Sequence, residues 1–218
     1  TPALEEAFRP AKNGTGSLPR RGAGGSAFPG GFSKMGTDSL QILDLACGSC
    51  REMESISSAL KKVTADSSRS VRFVGADIRA AEIDEARERA RILAAPDFKA
   101  EFLLEDCSKL QQHQELGGGF DMVFLRHQNY WNDPVIWRGI FSRGLERLHD
   151  DGVLVITSYF DREHALALKA ITKIGGHLVT SIRNPDSRQL STPGKSVDRH
   201  LAVFRRRAKP VEDLRILL

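Results

Sequence analysis

Acidic residues recur in this sequence at one kind of place, beside or just after a short apolar run. Asp44 stands at the end of Leu40–Ala46 and begins the segment Asp44-Leu45-Ala46-Cys47-Gly48-Ser49-Cys50. Asp77 follows Val74-Gly75-Ala76, and Glu105 and Asp106 follow Phe102-Leu103-Leu104. Asp121 opens the run Phe120–Leu125, which leads into Arg126-His127-Gln128-Asn129, and Ser158-Tyr159 closes a later run. Gly48 lets a ligand approach the backbone closely, and N–H groups exposed at a helix start attract a carboxylate. An ionised Asp77 only accepts hydrogen bonds, which suits a pair of ribose hydroxyls. Asp106 can accept from an exocyclic amine, with the Cys107 backbone N–H beside it. A cationic sulfonium favours acidic, phosphate-free surroundings of this kind. A dinucleotide needs the fuller G-x-G-x-x-G turn for its pyrophosphate, and that turn is absent.

The run after Phe120–Leu125 carries different chemistry. His127 has a reference pKa of about 6.5 and can take a proton from a hydroxyl near neutrality. Arg126 can clamp a carboxylate or form an ordinary salt bridge. Tyr130, Trp131, Trp137 and Tyr159 can line a small-molecule pocket or pack a helix onto a sheet. Cys47-Gly48-Ser49-Cys50 is also a C-x-x-C motif at a helix start, where a thiol pKa falls, so a thiol-disulfide oxidoreductase is a remote alternative. A zinc site at Cys47, Cys50, Cys107 and His113 matches no known ligand spacing, and no metal is expected.

The elements that must hold these residues alternate. Leu40–Ala46, Ser70–Ala76, Lys99–Leu104, Phe120–Leu125 and Val153–Ser158 read as strands. Arg51–Val63, Ala80–Leu93, Pro134–Leu148 and Arg162–Ile174 carry apolar residues at helical spacing. A short helix or loop before Gly117-Gly118-Gly119 stands in the third crossover, and Asp150-Asp151-Gly152 reads as a turn. His177–Arg183 and Arg199–Arg206 form a closing strand pair around a polar loop. Alternation at this spacing predicts an α/β fold, a doubly wound and mostly parallel sheet, because parallel neighbours need a crossover. Ligands of such sheets lie beyond the carboxyl ends of the strands, where the acids stand.

Over residues 39–206 the chain resembles the class I S-adenosylmethionine-dependent methyltransferases. Their glycine-rich first motif is similar to Ile42–Cys50, and their ribose-binding acid falls on Asp77 in Val74-Gly75-Ala76-Asp77-Ile78. Their adenine-contacting segment resembles Leu104-Glu105-Asp106-Cys107, and their fourth motif resembles Phe120–Leu125. Ala46 and Cys50 replace glycines of the full pattern, and Asp66-Ser67-Ser68-Arg69 looks like an extra loop before strand two. The resemblance implies a Rossmann-like, seven-stranded sheet with an antiparallel edge. It implies S-adenosyl-L-methionine as cofactor, held by Asp44, Ala46, Cys47, Gly48, Asp77, Ile78, Asp106, Cys107 and Arg126. His127, Arg126 and Tyr159 then face the acceptor. Asp44 either orders the turn or accepts from the methionyl ammonium. The alternatives are a methyltransferase-like binding protein without turnover, and an RNA or protein methyltransferase.

The 218 residues carry a net charge of +4, 40% hydrophobic and 28% charged residues, which are globular values. No apolar run approaches the roughly 18 residues that cross a bilayer, and the amino end lacks a signal pattern, so a cytoplasmic protein without a membrane partner is expected. Basic residues gather near both ends, at Arg9, Lys12, Arg20 and Arg21 and at Arg205, Arg206, Arg207 and Lys209. Without interleaved aromatics they read as solvated segments, so nucleic acid is an open but disfavoured partner and a small-molecule acceptor is expected. Residues 1–38, rich in glycine, read as a flexible leader or lid, with 39–218 as the cofactor-binding domain. The oligomeric state is not legible.

Overall fold

The computed structural model describes residues 39–63, 69–117 and 119–207. The expectations for the leader 1–38, for Asp66–Ser68 and for Lys209 lie outside these residues. The described chain forms two compact units, with the boundary between residues 117 and 118.

The first unit is a three-stranded parallel sheet. Its strands are β1 (Leu40–Leu45), β2 (Val71–Asp77) and β3 (Phe98–Leu104), with β2 between the other two. Every residue of β2 is buried, and β1 is buried but for Gln41, as expected of parallel strands covered on both faces. Two helices make the crossovers, α1 (Met53–Val63) and α2 (Ala80–Ile92). Helix α1 buries Met53, Ile56, Ala59 and Leu60. Helix α2 buries Ile83 and Ala86 and carries exposed ion pairs Arg87–Asp84, Arg89–Glu85 and Arg91–Glu88 on its outer face. Two 3-10 turns, Cys107–Gln112 and Gln114–Leu116, fill the expected short helix or loop.

The second unit holds β4 (Phe120–Arg126), β5 (Leu148–Ser158), β6 (Gly176–Arg183) and β7 (His200–Arg206). Strand β4 pairs parallel with β5, and β7 runs antiparallel to both β5 and β6. Helix α3 (Pro134–Arg147) begins at Asp133, whose carboxylate accepts from the Ile136 amide, with Pro134 at the first turn where its missing N–H costs nothing. It buries Ile140, Phe141 and Leu145, while Ile136 is exposed. Helix α4 (Asp161–Lys173) buries Ala167, Ala170 and Ile171. The expected turn at 150–152 lies inside a strand, because β5 starts at Leu148 and its register against β4 jumps from Leu148 to Val153. Gly152 permits this irregularity: a Cβ there would stand 2.5 Å from the Phe120 carbonyl oxygen.

The seven strands, their two internal orders and the antiparallel β7 make this the Rossmann-like methyltransferase fold. Among the described residues no helix is long and apolar enough to cross a membrane.

Candidate functional site

The expected cofactor residues lie in the first unit, at or just after the ends of β1, β2 and β3, except Arg126, which ends β4 in the second. After β1 the backbone turns through three left-handed residues in alternation, Ala46 (φ 54°), Gly48 (φ 54°) and Cys50 (φ 48°). Gly48 suits that conformation, whereas a side chain there costs about 1–2 kcal/mol. Ala46 and Cys50 therefore hold strained backbone at the positions where the family pattern has glycine. Such strain persists only where the surroundings over-determine it. Here the Ala46 amide donates to Cys107 Sγ at 3.3 Å, and the Cys47 amide donates to the Ala76 carbonyl at 3.1 Å. Asp44 is fully buried, and Cys50 Sγ donates to its Oδ2 at 3.7 Å, which supports its role in ordering the turn.

Asp77, at the end of β2, is buried and ties the turn to the second strand. Its Oδ2 accepts from the Gly48 amide at 2.8 Å and from Arg79 Nη2 at 3.2 Å. Its Oδ1 accepts from the Arg79 amide at 2.9 Å and from Arg79 Nε at 3.0 Å. Burial pushes the Asp77 carboxyl up, but the guanidinium and the two amides outweigh it and hold it below the usual carboxylate range. Next to it Ile78 is 69% exposed, and Leu104, its strand-end neighbour across from Asp77, is 52% exposed. Asp106 caps the first 3-10 turn, accepting from the Ser108 amide at 2.9 Å and the Ser108 hydroxyl at 2.7 Å. Glu105 pairs with His113 at 2.9 Å.

The three thiols are buried and free of disulfides. A hydrogen bond from Cys50 favours the Cys47 thiolate, yet burial and the carboxylates of Asp44 and Asp77 raise its pKa. The bond to Cys47, with burial, drives Cys50 far up, and burial pushes Cys107 up to about 12. A redox-active pair needs a lowered thiol pKa and access, so the C-x-x-C segment here is structural. Among the described residues no cluster of His, Cys, Asp and Glu has metal-binding geometry.

In the second unit the expected acceptor residues Arg126 and His127 meet at Asp198, with Tyr159 stacked on His127. Asp198, in the loop before β7, accepts from Arg126 Nε at 3.0 Å and Nη2 at 2.8 Å, and from the Thr157 hydroxyl at 2.8 Å. His127 Nε2 stands 2.8 Å from the same carboxylate. Burial opposes ionisation of Asp198, but His127 and Arg126 hold its carboxyl well below the usual range. The His127 ring stacks on Tyr159 with centroids 3.6 Å apart, and Lys195 Nζ lies 4.4 Å from the Tyr159 centroid. Arg126 is thus committed to an ion pair, while His127 and Tyr159 form one aromatic stack. Gln128 is wholly buried and braces the strand ends, donating to the Leu125 and Thr157 carbonyls at 2.9 and 2.8 Å. Tyr130 and Trp137 pack around Phe141, with centroids 6.0 and 6.2 Å away. Trp131 leans on Phe160 at 5.1 Å and is 38% exposed. Asp121 pairs with His149 at 2.8 Å, a structural contact.

Asp198 carried no legible signal, since it lies 71 positions from His127 in a polar loop. Arg79 did carry one. It occupies the N-cap of α2, a position that favours Ser, Thr, Asp or Asn, and its side chain makes no cap bond.

A family model described as a methyltransferase domain matches residues 37–186. The fold is similar to that of a TehB-like SAM-dependent methyltransferase from Corynebacterium glutamicum (19% identity, 79% of this chain and 83% of that chain, TM-score 0.52). It is also similar to a S-adenosylmethionine-dependent methyltransferase from Clostridium acetobutylicum (12% identity, 77% and 84%, TM-score 0.52). An rRNA methylase from Streptococcus thermophilus is a further likeness (12% identity, 78% and 88%, TM-score 0.52). No curated protein matches the chain in sequence. The chain belongs to the methyltransferase-domain family: it is a class I methyltransferase whose methyl donor is S-adenosyl-L-methionine.

Proposed function

We propose that the first unit holds the nucleoside of S-adenosylmethionine and that the second unit presents a small-molecule hydroxyl for methylation. In this reading Asp77 accepts from the ribose hydroxyls, and Ile78 and Leu104 lie against the adenine face. Asp106 and the Cys107 amide read its edge, and the Ala46–Gly48 turn takes the methionyl end. The donor supplies an electrophilic methyl group on a sulfonium, which needs little activation, so positioning is the main task of the protein.

The carrying observation is the His127–Asp198 pair. Nε2 meets both the Asp198 carboxylate at 2.8 Å and the Asp198 amide, which donates to it at 3.1 Å, so Asp198 holds this edge of the ring in place. The stack on Tyr159 fixes the ring plane. A histidine oriented from two sides is suited to take a proton from a hydroxyl as its oxygen is methylated. An amine or thiolate acceptor needs no such group.

The test uses methyl-labelled S-adenosylmethionine with three acceptor pools: a low-mass metabolite extract, ribosomal RNA and total protein. The reading expects label in the low-mass fraction, with a rate that falls about a hundredfold or more in His127→Ala. Label in RNA or protein overturns the acceptor assignment. Tight S-adenosylhomocysteine binding with no transfer to any pool supports a binding protein instead.

A further inference from the structure

Arg79 stands on the carboxylate that the ribose is proposed to use. Two guanidinium nitrogens lie 3.0 and 3.2 Å from Asp77 Oδ1 and Oδ2, and two backbone amides take further positions on the same oxygens. A carboxylate offers about four lone-pair sites, and all four are engaged. The amides belong to the turn and to the helix start, and leave only if the backbone moves. The guanidinium can leave alone. Its side chain is 58% exposed, so water receives it readily, and Glu82 holds Nη1 at 3.2 Å one helical turn on. It also overhangs the cradle: a Cβ built on Gly48 would lie 3.3 Å from Arg79 Nη2.

We infer that Arg79 is an internal competitor for the ribose-binding carboxylate, an affinity-setting residue that moves from Asp77 towards Glu82 when the cofactor binds. The inference rests on the ribose assignment of Asp77. Its consequence is a looser hold on the nucleoside than the same site would have without the guanidinium, and hence easier release of product. Breaking a half-exposed ion pair lowers affinity by about fivefold.

Calorimetric titration with S-adenosylhomocysteine tests this on the full chain, the Arg79→Ser and Arg79→Gln variants, and Asp77→Asn in each background. Serine is a favoured N-cap, so Arg79→Ser is expected to fold at least as well as the wild type, as circular dichroism will show. Both Arg79 variants should bind about fivefold tighter. That advantage should shrink as salt rises, because screening weakens the pair in the wild type. Unchanged or weaker binding in two folded Arg79 variants overturns the inference. Failure of the ribose assignment looks different: Asp77→Asn then binds as tightly as its parent in every background.

Discussion

His127 and Asp198 meet side chain to side chain at 2.8 Å, and both hold left-handed backbone, with φ of 58° and 50°. Left-handed conformations are uncommon for residues other than glycine, though Asn, Asp and His are enriched there. Two such residues locked to each other, with Arg126 and Thr157 on the same carboxylate, make the pair a fixed unit rather than a chance surface contact. Strain of this kind gathers at functional sites.

Replacing Asp198 by Asn isolates the charge, since Asn tolerates the same backbone. The variant should lose about 2 kcal/mol of stability in urea denaturation, because the partly buried Arg126 guanidinium is left without its anion. Methyl transfer to a hydroxyl should slow, and the limb of its pH–rate profile that reports the base should move to lower pH, since removing the anion disfavours the imidazolium. A variant as stable as the wild type with an unaltered pH–rate profile speaks against the pair as a unit.

Glu163 and His164, neighbours on α4, titrate in opposite senses. Burial pushes Glu163 from 4.5 up to about 7, although the Tyr159 and Phe160 amides donate to it. Burial, with His200 beside it, pulls His164 from 6.5 down to about 4. The raised Glu163 contributes stability that is complete below about pH 4.5 and is lost as pH rises to 7. The depressed His164 contributes stability that is complete above about pH 6.5 and is lost as pH falls to 4. The two slopes oppose each other, so each single variant unmasks the other. Relative to the wild type, Glu163→Gln should gain stability as pH rises across this window, and His164→Gln should lose it, each by about 3 kcal/mol. Denaturation midpoints from pH 4 to 8 check this; parallel curves for all three proteins contradict it.

The turn after β1 gives a paired expectation. Ala46→Gly relieves a left-handed alanine and should stabilise the protein by up to about 1 kcal/mol, after the entropic cost of glycine. Gly48→Ala introduces the same strain beside Arg79 and should cost about 1–2 kcal/mol while weakening S-adenosylhomocysteine binding. Thermal unfolding of both variants measures the difference, and like signs for the two changes are incompatible with the geometry described.

Where the sequence was legible, one local pattern carried the information. Apolar runs located all five parallel-type strands, and the acids beside the first three placed Asp44, Asp77 and Asp106 at or just past their ends, because strand burial is set by short segments. Strand boundaries shifted where packing overrode local signals: Asp150-Asp151-Gly152 looks like a turn but bulges within β5, since Gly152 lets the strand pass against Phe120. The tertiary partners were not legible. Nothing near Asp198 points to His127, as loop closure over that span depends on the whole β5–β7 pairing. Cys47 and Cys50 show the reverse case, a motif with a known chemistry whose burial removes it.

The central claim is that an S-adenosyl nucleoside is held through Asp77. The most direct measurement is a thermal-shift titration of the wild type and Asp77→Ala with S-adenosylmethionine, S-adenosylhomocysteine and NAD, since a ligand that binds only the folded state raises its melting temperature. The account expects both S-adenosyl compounds to stabilise the wild type, NAD to leave it unchanged, and a folded Asp77→Ala to lose the response. Stabilisation by NAD alone, or an undiminished S-adenosylhomocysteine shift in Asp77→Ala, contradicts it.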